Sequence, residues 1–60
     1  MELYNVPKDT RVRFTNGYEV MFHHIDGMYS YCTTDEGNVV HPSAWSEVEI
    51  VTDNKQQSAT

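Results

Sequence analysis

TRVRFTNGYEVMFHHIDGMYSYCT, residues 10–33, reads as three strands joined by two tight turns. Thr10 to Thr15 alternates, with Val12 and Phe14 on one side and Arg11, Arg13 and Thr15 on the other. That is the period of a half-buried strand. Asn16-Gly17 predicts a type I′ hairpin, because both residues tolerate positive φ. Tyr18 to Ile25 is the second strand, with Val20 and Phe22 inward and Glu19, Met21 and His23 outward. Asp26-Gly27 predicts a second two-residue turn of the same type. Met28 to Thr33 is the third strand. Tyr29 and Tyr31 share one face, and Met28, Ser30 and Cys32 share the other; alternation alone does not say which face is buried.

Working downstream, Asp35-Glu36-Gly37-Asn38 is a turn and Val39 to His41 a short fourth strand. Pro42-Ser43-Ala44-Trp45 is too short for an α-helix and predicts one 3-10 turn. Glu47 to Val51 is the fifth strand, with Val48 and Ile50 inward. Upstream, Pro7 fixes its own φ and biases Val6 toward extended geometry, so residues 1–9 read as an extended arm or short edge strand. Residues 53–60 are polar and without strand or turn signals, and read as a disordered tail. The chain carries no internal repeat. Its apolar residues are mostly β-branched or aromatic, as strands prefer. Leu3 is the only leucine, and Ala44 and Ala59 the only alanines. The prediction is one all-β domain over residues 10–52: an SH3-like small barrel of about five antiparallel strands, with a 3-10 turn before the last. Closure would remove the exposed sheet edges.

A chain of 60 residues buries only about 60% of its unfolded surface. A pocket of roughly 300 Å³ or more has little room in it. A binding surface is therefore expected in preference to an active-site cleft. Cys32 is the single cysteine, so no intrachain disulfide is available, which fits a reducing compartment. No secretory signal pattern and no run of about 20 apolar residues is present, so a cytoplasmic protein without membrane contact is expected.

The formal net charge is −5, and the signs are segregated. Lys8, Arg11 and Arg13 lie near the start and Lys55 near the end. Between Phe14 and Asn54 there is no lysine or arginine, but there are Glu19, Asp26, Asp35, Glu36, Glu47, Glu49 and Asp53. Such a surface repels phosphate backbones, so direct nucleic-acid binding is not expected, while basic partners are attracted. The same acidity also serves solubility.

Two resemblances add to this reading. Met28-Tyr29-Ser30-Tyr31, Asp35-Glu36-Gly37, Pro42-Ser43-Ala44-Trp45 and Glu47-Val48-Glu49-Ile50 together resemble the second half of an SH3 domain, over Asp26 to Val51. The resemblance implies that Tyr29 or Met28 takes the place of a ligand-contacting tryptophan. It implies that Trp45 replaces the tyrosine of the 3-10 turn and that Pro42 is the proline of that turn. Ala44-Trp45 stands where that family has Asn-Tyr, and the tandem tryptophans and long acidic first loop are missing. The barrel is thus implied more firmly than recognition of proline-rich peptides. Separately, Phe22 to Cys32 followed by Gly37-Asn38-Val39-Val40-His41 resembles a run in short accessory proteins of tailed bacteriophages. That likeness implies action inside an infected bacterium and supplies no mechanism.

Three constellations could carry function. Tyr4, Tyr29, Tyr31 and Trp45, with Pro42, are the candidate protein-binding set, since amphipathic aromatics dominate binding hot spots. The competing reading is that a domain this small needs them for its core. Glu19, Asp26, Asp35, Glu36, Glu47 and Glu49 are the candidate acidic surface, able to cover a basic nucleic-acid-binding surface of a host protein. His23, His24, His41 and Cys32 are metal-ligating types, but alternation sends His23 and His24 to opposite faces and the spacing matches no metal motif. No metal or other cofactor is expected. A nucleophilic Cys32 would need cationic neighbours or a helix N-terminus, so no catalytic residue is named. The expectation is a non-enzymatic protein-binding module, a phage accessory protein engaging a host or phage protein. The alternatives are the acidic inhibitor and a small self-assembling component that forms homo-oligomers.

Overall fold

A computed structural model describes residues 1–52; the tail expected over 53–60 lies outside them. The turns fix the sheet. β1 (Thr10–Phe14) and β2 (Glu19–Asp26) are antiparallel, with Val12 opposite Val20. Gly17 N–H donates to Phe14 C=O at 2.9 Å and Phe14 N–H to Tyr18 C=O at 2.8 Å. Gly17 has φ +90, whereas Asn16 does not have positive φ. The connection is therefore Thr15-Asn16-Gly17, a tight turn ended by a left-handed glycine, in place of the expected type I′ pair. Asn16 contributes through its side chain, whose Oδ1 accepts the Tyr18 N–H at 2.9 Å.

β2 continues to β3 (Tyr29–Thr33), with Asp26 opposite Tyr29. The turn residues are thus Gly27 and Met28, one position later than expected. Positive φ falls on Gly27 alone, at +65. That is a turn with glycine first, of type II′ character. The turn before β4 (Val39–Val40) repeats the design of the first: Gly37 N–H donates to Thr34 C=O, and Thr34 N–H to Asn38 C=O.

β5 (Val48–Ile50) returns to pair with β1, Val12 opposite Ile50. The sheet order is β4-β3-β2-β1-β5, all antiparallel, an SH3-like arrangement of five strands. The ladder is not closed, since β4 and β5 are not paired. The gap is bridged instead by the two irregular segments. Tyr4 N–H donates to Ala44 C=O at 3.0 Å, Ala44 N–H to Met28 C=O at 3.0 Å, and Leu3 N–H to Ser46 C=O at 2.9 Å.

Those bonds revise two expectations. Residues 1–9 are not a plain extended arm: Leu3–Asn5 is a 3-10 helix, and Leu3 and Val6 are buried in the core. The segment after Pro42 is one turn, closed by Ser46 N–H to Ser43 C=O at 3.0 Å. It stands where a 3-10 turn was expected, while the 3-10 helix itself is at the start of the chain.

The core lies on one face of the sheet. Val12, Val20, Phe22, Cys32 and Val48 point into it, Leu3 and Val6 cover them, and Phe14, Ile25, Val40 and Ile50 pack around the rim. The open question about β3 resolves toward Ser30 and Cys32 inside. Ser30 is tolerated there because its hydroxyl donates to Pro42 C=O at 2.8 Å, leaving no unsatisfied buried donor.

Candidate protein-binding surface

Because Ser30 and Cys32 face the core, Tyr29 and Tyr31 face solvent. Tyr29 is 57% exposed and Tyr31 36%. Trp45 is 58% exposed and Tyr4 48%. None of the four rings is needed for the core, which Phe22 and the aliphatic side chains complete. The hydrogen bonds that bridge the open side also gather this set. Tyr4 and Met28 both bond to the backbone of Ala44, next to Trp45, and Tyr29 bridges to Ser43. Met28, 63% exposed at the turn tip, joins them. Pro42 is half-buried, and its carbonyl is occupied by Ser30, so it shapes this end more than it presents a contact.

Tyr31 is set apart by histidines. The register passes from Phe22 opposite Cys32 to His24 opposite Tyr31, so His23 is an additional residue on β2. Such a bulge breaks alternation and re-aims side chains. His23 and His24, expected on opposite faces, therefore both reach Tyr31. The His24 ring stacks on it, centroids 5.4 Å apart, and the His23 and His41 rings meet it edge-on at 5.7 and 5.8 Å. His23 Nε2 is 2.9 Å from Thr33 Oγ1, and His41 Nδ1 is 3.0 Å from Ser30 C=O. With a tyrosine ring between them the imidazoles do not converge. Among the described residues no group of three or more His, Cys, Asp or Glu could hold a metal ion.

The acidic candidates divide. Glu19 Oε1 accepts from Arg11 Nε at 2.9 Å and its Oε2 from Arg13 Nη1 at 3.2 Å. Asp35 accepts both terminal nitrogens of Arg11, and Glu49 accepts Arg13. The arginines that look remote in sequence thus lie in the middle of a chain of ion pairs: Asp35, Arg11, Glu19, Arg13, Glu49. Arg11 holds the Glu19 and Asp35 carboxyls below their usual range by hydrogen bonding. Glu47 Oε2 lies 2.6 Å from the Met1 nitrogen. Asp26 and Glu36, both exposed, make no ion pair among the described residues.

Cys32 is fully buried, and burial pushes its thiol pKa up, opposite to what a nucleophile needs. A shallow open groove of about 450 Å³ runs between Phe14, Gly17 and Val48, away from the aromatic end. No helix among the described residues is long and apolar enough to cross a membrane. Comparison of the chain with protein-family models, curated proteins and solved structures finds no match.

Proposed function

We propose that this chain is a non-enzymatic protein-binding module whose contact surface is Tyr29, Trp45 and Tyr4, extended by Met28 and Tyr31. The observation that carries the reading is the division of the apolar residues. A 60-residue domain with little core to spare keeps Tyr4, Met28, Tyr29 and Trp45 outside it, around one end of the sheet. Exposed aromatics held on a rigid scaffold supply contact area at low entropic cost. The likeness to phage accessory proteins gives the proposal its setting, the cytoplasm of an infected bacterium, with a host or phage protein as partner. The test is capture from bacterial lysate by tagged protein, comparing wild type with Tyr29→Ala and Trp45→Ala variants.

The acidic-inhibitor reading is weaker, because Glu19, Asp35 and Glu49 already carry arginine partners. Self-assembly keeps one point in its favour: β4 is an edge strand, whereas Met1 already bonds the outer edge of β5 at Val48, and an open edge favours pairing with a second chain. Light scattering over a concentration series separates that reading from a monomeric binder.

A further inference from the structure

We propose that the Tyr29–Trp45 end of the sheet receives an arginine side chain from the partner, with the Asp26 carboxylate accepting the guanidinium. The inference rests on the protein-binding reading and adds the chemistry of what is bound.

The carboxylates differ in whether a cation meets them. Along the middle of the sheet every acid is matched: Glu19 with Arg11 and Arg13, Asp35 with Arg11, Glu49 with Arg13. Glu36 in the turn before β4 and Asp26 at the aromatic end both lie outside this network, with no ion pair among the described residues. Asp26 is exposed, and no cation of the described residues reaches it. The Glu2 carboxylate, two residues before Tyr4, accepts the Asn5 side-chain amide at 3.4 Å and makes no ion pair among the described residues. Arg11 and Arg13 cannot turn to this end without giving up their present carboxylates.

Asp26 is also well placed. It is the direct cross-strand partner of Tyr29, so the two side chains leave the same face of the sheet as neighbours. A guanidinium lying over the Tyr29 ring would have the Asp26 carboxylate at its edge. A planar cation that stacks on an aromatic face while donating two parallel hydrogen bonds is what arginine offers and lysine does not. Trp45 and Met28 then supply apolar surface for residues flanking that arginine. Gly27 holds the turn at φ +65, so Asp26 sits on a fixed hairpin end.

The experiment uses the full chain, 15N-labelled, titrated at low salt with the blocked peptide acetyl-Gly-Leu-Arg-Leu-Gly-amide. Matched peptides carry lysine or citrulline, the neutral isostere of arginine. Asp26→Asn leaves the Gly27-Met28 turn untouched and removes the charge. Glu36→Gln removes one charge at the opposite end of β3 and is the control for net charge. The expected result is shifts at the Gly27, Tyr29 and Trp45 amides, with the arginine peptide binding at least about fivefold tighter than citrulline. Asp26→Asn erases that preference and Glu36→Gln preserves it. Equal binding of arginine and citrulline overturns the arginine inference and leaves the aromatic surface standing. Equal loss in the two variants overturns it too, as mere net-charge attraction. Absence of shifts at these amides with millimolar peptide also overturns it, and the capture experiment then judges the surface by itself.

Discussion

Arg11 grips Asp35 through both terminal nitrogens, at 3.1 and 3.0 Å, and so ties the β3–β4 turn to the first strand. The same guanidinium donates its Nε to Glu19, which passes the pairing on to Arg13 and Glu49. Bidentate geometry and the shared network set this apart from an ordinary surface pair.

Acid should therefore destabilise the domain in a defined way. Asp35 and Glu19 have depressed pKa values in the folded chain because Arg11 hydrogen-bonds their ionised forms. Depressed carboxyls contribute stability that is complete above the unfolded value, about 4, and is lost as the pH falls through the folded one. Urea midpoints should hold steady from about pH 7 to 5 and drop below about pH 4. Asp35→Asn should lower the neutral-pH midpoint and flatten that drop.

Leu3 and Trp45 make a paired test of the core. Leu3 is fully buried and Trp45 is 58% exposed. Leu3→Ala should cost about 2–4 kcal/mol, enough to leave a domain of this size largely unfolded. Trp45→Ala should stay within about 0.5 kcal/mol of wild type. Chemical denaturation followed by circular dichroism reads both.

Gly17→Ala should cost about 1 kcal/mol. An added Cβ at that position meets nothing within 4 Å, so the cost is the positive φ alone. Gly17→Asn, which tolerates the left-handed region better, should recover part of the loss in the same denaturation assay.

Cys32 should be silent in the native state. It is buried, with a raised thiol pKa, and Ser30 Oγ lies 3.4 Å from its sulfur. Reaction with a disulfide reagent should be slow in buffer and should accelerate in denaturant. Fast native reaction at neutral pH would show a thiol far more accessible than the packing allows.

The strands were legible because Val12, Phe14, Val20, Phe22, Val48 and Ile50 fall at alternate positions. The three turns between consecutive strands from β1 to β4 were legible because Gly17, Gly27 and Gly37 mark them. Three features were not. The inward face of β3 buries Ser30, whose hydroxyl is satisfied by Pro42, a contact across 12 residues that local alternation does not encode. The bulge at His23 changes register without any glycine or proline to announce it. Leu3–Asn5 reads as extended locally, and becomes a 3-10 turn through bonds to Ala44 and Ser46. The pairing within the acidic set was not legible for the same reason. Asp35 and Arg11 lie 24 positions apart in the chain and touch only after folding. Tyr4, Tyr29, Tyr31 and Trp45 are exposed, and Pro42 is half-buried. That Tyr29 and Tyr31 lie outside the core follows from the facing of β3, which alternation leaves open.

The most direct test of the protein-binding account is quantitative capture from bacterial lysate by wild type, Trp45→Ala, Tyr29→Ala and Glu36→Gln, each first shown to be folded. The account predicts one partner retained at high salt by wild type and Glu36→Gln, and reduced at least about tenfold by either aromatic substitution. Retention unchanged in both aromatic variants, or release of every bound protein at low salt, would contradict it.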